Sequence, residues 1–161
     1  VLTAGSGVSL PEASARVWRI PPLAGSPQRV EVRFASPVRL QHDGRFARDV
    51  PFHVLVRSLL RRASSLLEFH EGIDLQLDFR GLIGRAEAVA VERAELLKEN
   101  RLRYSSRQQR IGLRGAVTYR GDVGPFAPLL ALGEAVGVGK STTFGLGSML
   151  VCWDAARATD G

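Results

Sequence analysis

The spacing of apolar residues changes early in this chain, from every second residue to one face of a helix. In RVEVRFASP, Val30, Val32 and Phe34 alternate with charged residues, and this period of two predicts a half-buried strand that Pro37 helps to end. In PFHVLVRSLLRRASSLLEFH, which begins at Pro51, the apolar residues share one helical face instead. A strand followed by an amphipathic helix is typical of a mixed α/β domain.

The rest of the chain adds further elements. The helix should end near His70, with Gly72 as its stop. Apolar and polar residues alternate again over RIGLRGAVTYR (Arg110–Arg120), which predicts a strand with one basic face. The segment GPFAPLLALGEAV predicts a short apolar helix, and SMLVCW predicts a final strand.

Residues 73–100 allow two predictions. The run AEAVAVERAELLKEN consists of good helix formers, so propensity alone favours a helix. Val89 and Val91 alternate with alanines, however, which favours a strand. With a strand here, the element order becomes βαββαβ, the ferredoxin-like arrangement of an antiparallel sheet with helices on one face.

Length and composition fit one ordinary domain, since 161 residues with 45% hydrophobic content can bury a real core. No apolar run approaches the roughly 20 residues of a membrane span, so we expect no membrane association. The lone Cys152 is compatible with a reducing cytoplasm, and no Cys/His spacing predicts a metal site. Because the chain begins at Val1, we expect a fragment or a processed product.

The formal charge of +6 comes almost wholly from arginine, because Lys98 and Lys140 are the only lysines. Such an excess either indicates nucleic-acid binding or reflects a GC-rich genome. The segment Arg101–Arg120 contains several arginines and no acidic residue, and a stretch of one sign favours a surface that faces phosphates.

The segment GVGKSTTFGLG (Gly137–Gly147) superficially resembles a nucleotide-binding P-loop. That motif requires a glycine where this chain has Glu134, and its loop follows a strand and opens a helix, whereas this segment follows a predicted helix. The P-loop interpretation therefore fails. The residues alone leave two alternatives equally open, a clasp for an RNA backbone and a tight turn leading into a strand.

Several motifs together resemble a known family. In order, FASPVRLQHDGR, PFHVLVRSLLRR, RYSSRQ, GLRGAVTYRGDVGPFAPLLALGE and VGVGKSTTFGLGSM resemble the C-terminal domain of the endoribonucleases that process CRISPR repeat RNA, the Cas6 family of the RAMP superfamily. The resemblance covers roughly residues 29–153.

The resemblance implies a ferredoxin-like RAMP domain at residues 29–155, after a lead-in at 1–28 and before a tail at 156–161. It implies that this is the second of two such domains, and it favours a strand over residues 87–97. It also implies RNA binding and positioning within a metal-independent endoribonuclease that cuts CRISPR precursor RNA in its repeats. The alternative is a RAMP-type subunit that holds guide RNA without cutting it.

The resemblance further implies repeat RNA and other CRISPR-associated proteins as partners, and no cofactor. We expect Phe144 to anchor the glycine-rich loop in the core. The predicted RNA contacts are Arg103, Tyr104, Ser105, Ser106, Arg107, Gln108, Arg110, Arg114, Lys140, Ser141 and Thr142, beside the loop glycines Gly137, Gly139, Gly145 and Gly147.

Cleavage of this kind needs groups that deprotonate the 2′-hydroxyl and protonate the leaving 5′-oxygen, and histidine suits both roles. In many family members the catalytic histidine lies in the N-terminal domain, so the catalytic residues are not assigned here. His53 is the one candidate, although its place early in the helix favours a partly buried structural histidine. His42 is expected in a turn and His70 at a helix end.

Overall fold

The computed structural model describes residues 25–72, 77–101 and 110–153. The strands and helices, in chain order, are β1 (Arg29–Val38), β2 (Gln41–His42), β3 (Arg45–Phe46), α1 (Phe52–Glu71), α2 (Phe79–Glu87), β4 (Ala90–Arg101), β5 (Arg110–Arg120), α3 (Ala127–Val136) and β6 (Met149–Trp153). A single-turn 3₁₀ helix, Gly124–Phe126, directly precedes α3, and a second one, Thr142–Phe144, lies between α3 and β6.

Four of the strands form one sheet in the order β4-β5-β1-β6, and each neighbouring pair is antiparallel. Without the β2–β3 hairpin and α2, the remaining elements follow the order βαββαβ. The predicted ferredoxin-like fold is therefore confirmed.

The core lies between one face of the sheet and the helices. Val30, Val32 and Phe34 of β1 are buried, as their alternation predicts, and the apolar stripe of α1 packs over them. At the start of α1, the ring of Phe52 makes edge contacts with Tyr119 and Phe126, with centroids 4.9 and 5.1 Å apart. Each such fully buried side chain contributes about 1.5–3 kcal/mol to the hydrophobic stabilisation.

The predicted end of α1 is confirmed. Gly72 follows the helix in a left-handed conformation with φ 62°, and its N–H donates to the carbonyl oxygen of Leu67. Glycine adopts this conformation without the steric cost that a Cβ atom brings, and for that reason it commonly ends helices.

The ambiguous stretch holds both kinds of structure. Asp78 caps α2 by accepting a hydrogen bond from the N–H of Gly81, 2.9 Å away, and this helix was not expected as a separate element. From Ala90 onward the chain is a strand that pairs with β5 as far as Arg101. The helix propensity of this run was misleading, because residue differences of a few tenths of a kcal/mol are outweighed by a long ladder of strand pairing.

Two local expectations are corrected. β1 continues through Pro37 to Val38, with an irregular register after Phe34. Phe144 is 43% exposed and does not anchor the glycine-rich loop in the core. Leu146, which follows the left-handed Gly145 at the end of the 3₁₀ helix, is 3% exposed and is the buried apolar residue instead.

Candidate nucleic-acid interface

The glycine-rich loop joins α3 to β6 in a tightly folded conformation. All four of its glycines, Gly137, Gly139, Gly145 and Gly147, have positive φ. A Cβ atom on Gly139 would lie 2.6 Å from the carbonyl oxygen of Arg39, and one on Gly147 would overlap the carbonyl oxygen of Val138. Glycine is therefore favoured at these positions by the positive φ, and at Gly139 and Gly147 also by the close contact with a carbonyl oxygen.

Several backbone N–H groups of this loop are engaged within the fold. Lys140 donates to the carbonyl oxygen of Arg39 at 2.9 Å, and Gly147 donates to that of Pro37 at 3.0 Å. Val138 donates to the carbonyl oxygen of Gly147 at 2.9 Å. The loop is thus fastened to the end of β1, and Lys140 can offer a ligand its ammonium group but not its backbone N–H.

A basic groove runs between this loop, the segment that follows β1, and α1. It encloses about 200 Å³ and opens to solvent. The α1 residues that line it are spaced i, i+3, i+4 and i+7, so they form one stripe along the helix. The basic groove is lined by Arg39, Gln41, Ser58, Arg61, Arg62, Ser65, Gly139 and Lys140.

The charge of the basic groove is positive, and no described residue that lines it is acidic. Within the described ranges, Arg61, Arg62 and Lys140 take part in no ion pair. Arg62 Nη2 donates to the carbonyl oxygen of Val136 at 3.4 Å, while its Nε is buried without a hydrogen-bond partner among the described residues. Guanidinium and ammonium groups arranged in this way suit phosphate oxygens.

The arginines of the sheet are in a different electrostatic setting. On the face away from the helices, Arg114 Nη1 lies 3.3 Å from Glu99 Oε2, and Arg120 Nη1 lies 3.8 Å from Glu92 Oε1. We call this surface the open sheet face. Five of its described arginines have carboxylate partners in the same sheet, two of them at Glu92, through the pairs Arg29–Glu92, Arg33–Glu31, Arg93–Glu95, Arg114–Glu99 and Arg120–Glu92.

The predicted RNA contacts therefore divide into three groups. Lys140 lines the basic groove beside Gly139, and Ser141 and Thr142 follow it in the loop. Arg114 lies on the open sheet face in its ion pair, and its RNA contact stays a prediction. Outside the described residues are Arg103, Tyr104, Ser105, Ser106, Arg107 and Gln108, whereas Arg110 is described by its backbone, which pairs with Arg101.

Ser141 has an uncommon backbone conformation. Its φ is 67°, and the only other described non-glycine residue with positive φ is Asp43. Such conformations cost on the order of 1–3 kcal/mol and persist where the surrounding structure fixes them. Here the strain lies directly after Lys140, the charged residue of the loop.

Two of the histidines contact each other. The rings of His42 and His53 meet edge to face with centroids 5.6 Å apart, and His42 Nε2 lies 3.3 Å from Asp43 Oδ2. His42 is the last residue of β2 rather than part of the turn, which is formed by Asp43 and Gly44. Neither histidine lines the basic groove. His70 is the penultimate residue of α1, as expected for a helix end.

The α1 side of the basic groove was not predicted from the sequence. A signal was present, because Ser58, Arg61, Arg62 and Ser65 follow the spacing of one polar helical stripe. The same spacing is equally typical of a solvated helix face. The stripe lines a groove only because the glycine-rich loop lies close to α1 in the folded chain.

Glu134 has a structural role that agrees with the exclusion of a P-loop. Its Oε1 accepts a hydrogen bond from the backbone N–H of Val151 at 2.6 Å, which ties α3 to β6. The loop leads from a helix into a strand, and between them lies only one 3₁₀ turn. A P-loop instead needs a strand before it and a helix whose N-terminus faces the phosphates.

The described ranges contain neither a helix that could span a membrane nor a cluster of metal ligands. No described helix is both long enough and apolar enough to cross a membrane. The described histidine, cysteine, aspartate and glutamate side chains form no cluster of three or more that could hold a metal ion.

A comparison with protein families gives a match over most of the chain. A model of the CRISPR-associated endoribonuclease Cas6 family matches residues 32–149, from β1 to the start of β6. The matched segment includes α1 and the whole glycine-rich loop, so it contains both sides of the basic groove. A search of curated proteins finds no significant match to the chain.

Solved structures resemble the chain over most of its length. Cas6 of Thermus thermophilus (TTHB231) has a TM-score of 0.62 and 19% identity, over 80% of this chain and 55% of its own. A second Cas6 (TTHA0078), in a product complex, has a TM-score of 0.55 and 25% identity, over 80% of this chain and 53% of its own.

A larger assembly also contains a similar domain. A chain of the partial Cas6-RT-Cas1–Cas2 complex has a TM-score of 0.58 and 19% identity, over 86% of this chain and 25% of its own. At such identities the likeness shows the fold alone. The present chain spans about half the length of the two Cas6 proteins.

Proposed function

Because the chain belongs to the CRISPR-associated endoribonuclease Cas6 family, we propose that it binds and positions repeat RNA within an enzyme that cuts CRISPR precursor transcripts. The observation that carries this proposal is the basic groove. Arg61, Arg62 and Lys140 line it without acidic partners among the described residues, whereas five arginines of the open sheet face lie in ion pairs.

The groove would act mainly on the RNA backbone. A cation that meets a phosphate displaces its condensed counterions, which favours binding without reading sequence. The hydroxyl groups of Ser58 and Ser65, on the same stripe as Arg61, can add hydrogen bonds to phosphate or ribose oxygens. This arrangement fits a surface that holds the RNA in register while cleavage occurs beside it.

The chemistry follows from the family. Attack of a 2′-hydroxyl on the adjacent phosphate gives a 2′,3′-cyclic phosphate and a 5′-hydroxyl, and it needs a base, an acid and cations near the phosphorane. We assign to this chain the positioning and the cations. The acid and the base stay unassigned, because the chain spans about half of the related enzymes and its His42–His53 pair lies outside the basic groove.

The ligand, the protein partners and the cellular compartment are part of the same proposal. Related structures include a Cas6 substrate-mimic complex and a complex of Cas6-RT-Cas1 with Cas2. By analogy we propose repeat RNA as the ligand and other CRISPR-associated proteins as partners. We place this activity in the cytoplasm, where precursor transcripts occur and where a lone cysteine such as Cys152 stays reduced.

A cleavage assay in EDTA tests the function. The full-length protein should cut a transcript of its cognate repeat once per repeat, without metal. Arg61→Ala combined with Lys140→Ala should weaken RNA binding, while Arg93→Ala, an exposed arginine paired with Glu95, should not. RNA binding with no cut by the full-length protein would contradict the enzyme and support a guide-holding subunit.

A further inference from the structure

A second concave surface lies where the β2–β3 hairpin meets the sheet, near the pairing of Lys98 with Leu113. It encloses about 350 Å³, near the lower end of the roughly 300–1,000 Å³ that small-ligand pockets occupy. We call it the apolar cleft. Its apolar lining includes Phe46, Ile111 and Leu113, and its charged lining is Arg39, Arg48 and Lys98.

The apolar cleft exposes a flat aromatic surface. Phe46 is 50% exposed, and the guanidinium carbon of Arg39 lies 4.1 Å from the centroid of its ring. Ile111 beside it is 52% exposed. Large apolar side chains grouped in a concave surface usually mark a binding site, and an exposed ring backed by a guanidinium offers a platform on which a base can stack.

The charges around this platform have one sign. Within the described ranges, Arg48 and Lys98 take part in no ion pair, and no described residue that lines the apolar cleft is acidic. An apolar peptide or a second copy of this chain would bury these cations without partners, which is unfavourable. A ligand with a flat apolar part and flanking negative charges satisfies both features.

Arg39 connects the two surfaces, since it lines both the basic groove and the apolar cleft. Its carbonyl oxygen also accepts the hydrogen bond from Lys140 that fastens the glycine-rich loop. An RNA strand that lies in the basic groove therefore reaches the apolar cleft at Arg39.

We propose that the apolar cleft binds one unpaired base of the RNA, stacked on the exposed surface of Phe46, while Arg48 and Lys98 contact the neighbouring phosphates. This inference rests on the proposed RNA-binding function and adds to it a site that engages a base rather than the backbone. The size of the cleft suits one nucleotide, and stacking on a ring accepts any base.

The inference is tested by measuring how tightly the full-length protein binds two RNA 12-mers. One is oligoadenylate, and the other has the same length but its riboses carry no bases. Phe46→Ala should weaken oligoadenylate binding at least about fivefold, the lower limit expected for a lost base–aromatic stack. It should leave binding of the abasic 12-mer unchanged. Phe46→Tyr, which keeps the ring, should bind oligoadenylate like the unmodified protein.

Phe69→Ala is the matched control, because Phe69 is 87% exposed near the end of α1 and lines neither surface. It should bind both oligomers normally. If Phe46→Ala binds oligoadenylate like the unmodified protein while Arg61→Ala binds it less tightly, the base site is refuted and the RNA-binding function stands. Equal losses on both oligomers would also refute stacking, and no binding of any RNA by the unmodified protein would refute both proposals.

Discussion

The backbone nitrogen of Lys140 lies 2.9 Å from the carbonyl oxygen of Arg39, to which it donates a hydrogen bond. The two residues line the same basic groove from different segments of the chain. A single main-chain contact thus joins a residue just after β1 to a residue of the glycine-rich loop.

Gly139→Ala should disturb this contact. Gly139 and Gly145 both have positive φ, 86° and 78°, so an alanine at either position carries left-handed strain of about 1–2 kcal/mol. Only at Gly139 would the new Cβ also approach the carbonyl oxygen of Arg39. Urea unfolding should show that Gly139→Ala costs at least about 1 kcal/mol more than Gly145→Ala; equal losses would contradict the contact.

The salt dependence of RNA binding should identify the cations that meet phosphates. Arg61→Ala and Lys140→Ala should each lower the slope of log Kd against log salt by about 0.7–1. Titrations with repeat RNA at several salt concentrations measure it. Arg93→Ala is the control, since its guanidinium is paired with Glu95, and it should keep the full slope. Unchanged slopes in Arg61→Ala and Lys140→Ala would remove the basic groove from the interface.

The same titration tests the RNA contacts predicted for β5 and for the segment that joins β4 to β5. Arg103→Ala and Arg107→Ala should each weaken binding and reduce the slope by about one unit if these arginines meet phosphates. Arg114→Ala should have a smaller effect, because Glu99 already neutralises much of its charge. A full-unit loss of slope in Arg114→Ala would show that RNA displaces Glu99.

Tyr119 should make stability depend on alkaline pH. Its hydroxyl donates to the carbonyl oxygen of Val50 at 2.8 Å, and burial raises its pKa far above the usual value. The unfolded chain releases this proton at about pH 10, whereas the folded chain holds it. The free energy of unfolding should therefore decrease above about pH 10, by about 1.4 kcal/mol per pH unit.

Tyr119→Phe removes this titration, so its stability should fall less steeply than that of the unmodified protein above about pH 10. At neutral pH the variant should lose about 1–3 kcal/mol, because the carbonyl group of Val50 is left unsatisfied in the core. Chemical unfolding at neutral and alkaline pH measures both effects. If the free energy of unfolding has the same pH dependence in the two proteins, Tyr119 ionises as easily in the folded state as in the unfolded state.

His53 should not be catalytic. Its ring packs against His42 and lies outside the basic groove, so His53→Ala should leave the single-turnover cleavage rate within about threefold, whereas loss of a general acid or base costs about 100-fold or more. His42→Ala is the companion variant and should behave alike. A hundredfold loss in His53→Ala alone, with RNA binding intact, would assign His53 to the chemistry.

The sequence predicted most of the fold where local pattern and tertiary structure agree. The period of β1, the apolar stripe of α1 and the stop at Gly72 all appear as expected. β4 could not be derived from its own residues, since its strand state depends on pairing with β5. The β2–β3 hairpin had a local signal in Asp43–Gly44, a two-residue turn of the type that joins antiparallel strands.

The candidate site was only half predictable for a similar reason. The glycines and Lys140 form a recognisable segment, whereas Arg39 and Arg61 become neighbours of that segment only through the folded chain. Within the segment Arg101–Arg120, the structure describes the side chains of Arg114 and Arg120, which Glu99 and Glu92 of β4 face across the strands, and the phosphate-facing surface stays a prediction. Charge along a sequence does not show which charges are paired across a sheet.

The near balance of charge on the open sheet face also affects how a partner approaches. Paired arginines and glutamates largely cancel each other's fields over short distances, while the cations of the basic groove add, so among the described residues the positive potential is concentrated at the basic groove. A polyanion diffusing nearby would experience a torque that turns the basic groove toward it before any contact forms. The carboxylates of the sheet would thereby favour encounters in which the basic groove meets the polyanion first.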